Sequence, residues 1–534
     1  MSDIEKSKTA ANNLEGDHES VGLGVVDIDD AVLRANGHKP ELKRQFSWIS
    51  ALGLGFSITN SWAGYLSCFG QSLIYGGPQV VLLGLVVAFV VQSVITLGLS
   101  EIASAFPSTG GQYHFCWILS PEKSRRFASY VIGWMSTLAW WIVTCSGISL
   151  ATTTFVGMIH FIHPEFLAAN WVVYLIYVAV SVITAVPIFV ASKRLGWLVQ
   201  TALVISAIGM ILILFVPVGM HQHVNRSSYL VESNLGTSGW NSGTAWILGI
   251  CNCMYAFGGT DGAIHISEEM TQPGRRVPQV IIMTMIIGLV TTLPLFIALM
   301  YFMTDLEAVS NSPLPSMELI FQATGNRNAT IFLTSVLLVV FVLSLPSQWV
   351  TSGRMAWAFA RDNGVPFSEY FSKVDRRFEF PVRTTVAAFI FVLLYGLLYL
   401  ASTTAFNSII TSAVLFLNVT YTVPQGILLV QGRAQHLPPR YLNLGVFGGV
   451  CNGFSVLWIV VLGVAVCMPP SIPVSTATMN YISVIITGLF VIIMVLWFVD
   501  GRKKFEGPHI DWDLMREVNT HMLKDGRQHY DAES

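Results

Sequence analysis

Asp261, His265 and Glu268 stand at i, i+4 and i+7, a spacing that sets three ionisable side chains along one face of a helix. One chemistry such a row can do is metal coordination. No second cluster of histidine and carboxylate lies in another apolar run to complete a shell, so no metal is expected on this face. The other is recognition of charge or transfer of a proton. Asp261 is the candidate, as the one ionisable side chain far from the end of an apolar run, with Glu268 and Glu269 at that run's end. A charge at bilayer depth is costly unless it is paired or wetted, which makes it a functional residue by default. The structural alternative is a carboxylate tied to backbone at a helix break, because Asp261 follows the weak helix former Phe257-Gly258-Gly259-Thr260.

The elements that must position these residues are membrane helices. Of 534 residues 53% are hydrophobic and 11% charged, against about 25% charged in soluble proteins, and a soluble fold would lack polar surface. At about 20 residues per crossing, the apolar runs 49–70, 78–104, 129–159, 171–190, 196–216, 244–266, 280–303, 330–350, 384–400, 408–430, 446–468 and 481–499 predict twelve spans. The expected fold is an all-α polytopic membrane protein. Residues 1–44 are read as a disordered cytoplasmic tail, 45–500 as the twelve-helix domain and 501–534 as a cytoplasmic tail. With no signal peptide apparent, the first span is expected to be the targeting element. A net charge of −2 gives no field for nucleic acid. The seven cysteines lack the paired spacings of a zinc or disulfide framework.

Orientation follows from the loops. If both termini share one side, that side holds all but Arg226 and Arg327 of the 29 Lys and Arg residues, which predicts cytoplasmic termini. The glycosylation sequons at Asn225 and Asn328 both fall in loops placed outside.

A second irregularity matches the one at Asp261. In the first span glycines and small polar residues, Gly53-Leu54-Gly55-Phe56-Ser57-Ile58-Thr59-Asn60-Ser61, interrupt the apolar run. Broken helices one and six predict a five-plus-five inverted repeat whose half-helix ends face a central substrate. Close packing through small residues is the competing explanation.

The chain resembles the fungal amino acid/choline permeases of the amino acid–polyamine–organocation superfamily, which include choline and GABA permeases. The segments that carry the resemblance are Gly53 to Trp62, Gly98-Leu-Ser-Glu-Ile-Ala-Ser-Ala-Phe-Pro107, Gly110-Gly-Gln-Tyr113, Thr260 to Glu269, and Trp357-Ala-Phe-Ala-Arg-Asp-Asn-Gly-Val-Pro366. The resemblance implies a secondary active permease working by alternating access, without cofactor or catalytic residues, in the plasma membrane. It implies that Gly53, Gly55, Ser57, Thr59, Asn60 and Trp62 belong to an unwound first helix whose N–H groups receive a carboxylate or other acceptor. It likewise implies that Tyr255, Phe257, Gly258, Gly259 and Asp261 belong to an unwound sixth helix whose carbonyls receive an ammonium. Glu101 and Glu268 are similar to members of a gating network that packs against arginines of the inner loops.

Some proton-coupled members of the superfamily carry a lysine within helix five where sodium would otherwise bind. Here 196–216 has no basic residue and Lys193 lies outside the span. The residues left for proton coupling are Asp261, His265, Glu268 and Glu101, with His265 favoured because an unperturbed imidazole titrates near ~6.5. Asp261 favours a cationic or zwitterionic substrate over an anion, and Trp62, Tyr255, Phe257, Trp140, Trp141 and Trp349 offer rings for an ammonium or serve as packing. Choline, GABA, a polyamine and an ordinary amino acid all remain. A nutrient sensor on the same fold would need a signalling module in the tails. An intramembrane enzyme would need catalytic groups on several spans, so enzymatic activity is not expected.

Overall fold

Apolar runs long enough to bury their backbone hydrogen bonds internally leave helices as the economical solution, and the computed structural model is built from them. It describes residues 25–401, 403–475, 479–518 and 520. No strand occurs among the described residues; Phe46–Met270 and Asp375–Phe380 are isolated bridges.

In chain order the main helices are α1 (Val25–Ala35), α2 (Trp48–Thr59), α3 (Ser61–Gln79), α4 (Leu85–Ala105), the short α5 (Gln112–Leu119), α6 (Glu122–Ile162), α7 (Asn170–Val190), α8 (Leu195–Met220) and α9 (Ser242–Cys253). They continue with α10 (Pro273–Phe302), α11 (Arg327–Arg361), α12 (Val382–Gly396), α13 (Thr403–Gln431), α14 (Gly445–Cys467) and α15 (Ile482–Leu496). Among the described residues ten helical stretches are long and apolar enough to cross a membrane. The first and second runs read from sequence fall within one of these, Trp48–Ala105. That stretch is broken at Asn60 and bent at Gly76 and Gly77, where Gly77 has φ 66° and Pro78 follows. The sixth run is absent from the ten, because beyond α9 the backbone leaves the α-helical path.

α6 packs along α11, α13 along α14, α10 along α4, and α2 against α8. Outward faces are apolar: Val446 is 90% exposed and Leu457, Val484, Val495 and Phe498 are also exposed, a surface that lipid rather than water would cover.

One boundary differs from the sequence reading. Residues 1–24 lie outside the described residues, but 25–44, read as tail, form α1 and an ordered loop. The reason is a set of buried apolar side chains within a polar sequence, Val32, Leu33, Ala35 and Leu42. Asn36 donates to the Pro107 carbonyl at 3.2 Å, and Asp29 accepts the Gln272 N–H at 2.9 Å. The other tail joins it: Asp511 N–H donates to the Ala35 carbonyl at 2.8 Å, and Val518 packs on Val32.

Candidate functional site

The first helix break is a single residue. Asn60 takes φ 33°, ψ 55°, ending α2, and α3 resumes at Ser61. Asparagine tolerates this left-handed conformation better than most residues, and its side chain is held on both ends. Its amide donates to Ser344 Oγ at 2.9 Å, and its carbonyl accepts from Ser206 Oγ at 2.9 Å. The unwinding therefore does not extend over 53–61. Gly53 and Gly55 lie inside α2 and allow close packing: a Cβ on Gly53 would stand 2.9 Å from the Val199 carbonyl oxygen of α8.

The second interruption is longer. After α9 come a 3-10 turn, Met254–Phe257, two glycines, and a further 3-10 segment, Thr260–Glu269. Gly259 has φ 77°, which favours glycine. The two interruptions touch, and a cavity opens between them. It is lined by Ser57, Ile58, Thr59 and Asn60 from the first, by Tyr255, Gly258 and Gly259 from the second, and by parts of α3, α6, α11 and α13. No charged side chain lines it among the described residues. Ser146 and Tyr255 share a hydrogen bond of 2.6 Å, whereas Ser57 Oγ and Gln348 Oε1 are buried without a partner. These two atoms are where a ligand would find hydrogen-bonding capacity unused.

Asp261 is not in the cavity wall. Its Oδ2 accepts from Gln112 Nε2 at 2.7 Å and Trp140 Nε1 at 3.2 Å, and its Oδ1 accepts from the Tyr421 hydroxyl at 2.5 Å. Nε2 of His265 lies 3.2 Å from Oδ2, and Nδ1 lies 2.9 Å from the Thr109 carbonyl. A carbonyl only accepts, so Nδ1 carries hydrogen. Nε2 then faces the carboxylate. Both residues are buried.

Toward the end of the bundle where the tails pack, three carboxylates meet arginines. Glu101 is held by Arg433 at 2.5 Å and by Arg440, and accepts the Leu444 N–H at 3.1 Å. Glu268 takes a bidentate pair from Arg361 at 2.9 and 2.7 Å. Glu269 pairs with Arg354, both nearly fully buried. Glu268 is therefore turned from the Asp261–His265 pair to an arginine. Nearby, burial alone would raise Asp362, but the His38 imidazole beside it holds this carboxyl well below the usual carboxylate range.

The remaining residues singled out from sequence divide. Trp62 is buried and donates to Ser206 Oγ at 3.1 Å, and Phe257 packs edge-on against Phe89, so neither lines the cavity. Trp141 packs on Phe391, and Trp349 donates to Thr184 Oγ1 at 3.1 Å. Asn328 is exposed, whereas the Asn225 amide is engaged by the Met300 and Met303 carbonyls. Sequence reasoning did not single out Ser146, Ser344 or Gln348 of the cavity, nor Gln112 and Tyr421 around Asp261. A glutamine within the apolar run 330–350 is the one signal that was there to read.

Comparison with known proteins gives a consistent picture. A family model described as amino acid permease matches residues 46–491. A choline transporter of Saccharomyces cerevisiae is 32% identical over 485 residues, covering 90% of this chain and 85% of that protein. A swainsonine transporter of Arthroderma benhamiae is 26% identical over 507 residues, 92% and 99% of the two chains. A 7-keto 8-aminopelargonic acid transporter of Saccharomyces cerevisiae is 26% identical over 534 residues, 87% and 94%.

Proposed function

Because this chain belongs to the amino acid permease family and is an integral membrane transporter, we propose that it imports a small amine or amino acid, such as choline or GABA, through the cavity between its helix breaks. The observation that carries this reading is the meeting of Ser57–Asn60 with Tyr255–Gly259 on one cavity that has no charged side chain among the described residues. Ends of interrupted helices supply N–H and C=O groups whose partial charges suit an ammonium and a carboxylate without a fixed counter-ion. The Tyr255 ring adds a face for a cationic head.

The ten apolar stretches, with Trp48–Ala105 folded at Gly76–Gly77 into two crossings and residues 242–269 counted as one more, support twelve spans in a five-plus-five arrangement. The distribution of Lys and Arg supports cytoplasmic termini, and the import proposed is in keeping with a location in the plasma membrane. The contact of His265 Nε2 with Asp261 Oδ2 at 3.2 Å supports proton coupling, with Glu101 and Glu268 in the arginine pairs of the inner gate, by alternating access. Uptake of labelled choline, GABA, and basic and neutral amino acids, with and without a protonophore, tests the reading. Absence of uptake for every one of them would overturn it, and uptake insensitive to the protonophore would overturn the coupling.

A further inference from the structure

His38, from the loop after α1, His114, on α5, and Asp362, which caps the C-terminus of α11, converge in the interior. One ligand atom from each lies within 4.8 Å of the other two, and all three residues are buried. His38 Nε2 and Asp362 Oδ1 are in hydrogen-bond contact at 2.7 Å. His114 is different. It is fully buried, yet neither ring nitrogen has a hydrogen-bond partner, and its Nε2 stops 3.6 Å from Asp362 Oδ2. A buried imidazole with both nitrogens unused is uncommon, because desolvation is then uncompensated.

That gap has the size an ion would need. Bonds of about 2.0–2.1 Å in tetrahedral geometry place two ligand atoms about 3.3–3.4 Å apart. We propose that His38, His114 and Asp362 form a binding site for a divalent transition ion of the zinc class, separate from the transport cavity. Two imidazoles and one carboxylate are a donor set such ions favour. The two rings stack at 5.1 Å with 19° between planes, so both present edges toward the same carboxylate. The Tyr113 hydroxyl donates to Asp362 Oδ2 at 2.8 Å and fixes the carboxylate's orientation, as partners of metal ligands commonly do. The adjacent guanidinium of Arg361 is neutralised by Glu268. The ion replaces the proton held between His38 Nε2 and Asp362 Oδ1, and that proton is released to solvent. It would fasten the segment after α1 to α5 and to the end of α11.

The test uses the full-length protein purified in detergent, with its affinity tag removed and stripped by a chelator. Zn2+ is titrated against a chromophoric competitor, and Co2+ is added as a spectroscopic probe. One Zn2+ per chain is expected, bound at least tenfold more weakly in both His114→Gln and His38→Gln, with loss of the visible Co2+ band in each. The exposed His163→Gln serves as control and should bind as wild type. If His114→Gln does not purify as a folded protein, His38→Gln decides alone. Absence of stoichiometric binding in wild type, or undiminished binding in His38→Gln, overturns the proposal.

Discussion

Ile58 and Gly259 are in contact across the two helix breaks: a Cβ on Gly259 would stand 2.8 Å from Ile58 Cγ2. With φ at 77°, position 259 has neither the room nor the backbone freedom for a side chain.

Gly259→Leu is therefore expected to reduce uptake at least tenfold when normalised to the amount of protein in the membrane. Uptake of the accepted substrate, paired with surface labelling, measures it. A fully active variant would show that the contact of the two breaks is not needed for transport.

Gln348 Oε1 is one of the two unpartnered polar atoms of the cavity, with Ser57 Oγ. Gln348→Leu keeps the bulk and removes that acceptor, so the apparent KM for an amine substrate is predicted to rise about tenfold, equivalent to about 1.4 kcal/mol, with the maximal rate less affected. Concentration dependence of initial uptake gives the split. An unchanged KM would place the substrate elsewhere.

The Asp261–His265 pair predicts a proton dependence with a definite sign. A proton taken up from outside with substrate makes wild-type uptake rise as external pH falls and collapse with a protonophore. His265→Gln cannot change charge, so its pH profile should be flat while exchange of bound substrate persists. Asp261→Asn should lower uptake far more than abundance, since the volume is kept and the charge is lost. An unaltered pH profile in His265→Gln would remove the residue from coupling.

Glu101, from a buried position, is the shared carboxylate partner of two arginines. Glu101→Gln leaves Arg433 and Arg440 without their counter-charge, which is expected to destabilise the fold by about 3 kcal/mol and lower the melting temperature in detergent. If melting is unchanged, the pairs contribute little to the resting structure.

Elements read from local sequence were the most legible, because helix-forming runs and helix-breaking residues act over a few positions. Ser57, Asn60, Tyr255 and Gly259 could be marked that way. Gly53 and Gly55 look the same in sequence, yet they serve packing, Gly53 against the Val199 backbone and Gly55 against the Thr284 and Val280 side chains. The surroundings of Asp261 were illegible for another reason: Gln112, Trp140 and Tyr421 arrive from three separate helices. The ordering of 25–44 was missed because a polar composition hides a few apolar side chains whose burial depends on the far end of the chain.

The clasp between Ala35 and Asp511, with Val32 on Val518, makes the two ends of the polypeptide one composite surface. Chimeras built between relatives would then have to exchange both ends together, since a graft of either alone leaves a mismatched seam. Reporter fusions fare best beyond residue 518 or before residue 25, where they do not prise the clasp apart.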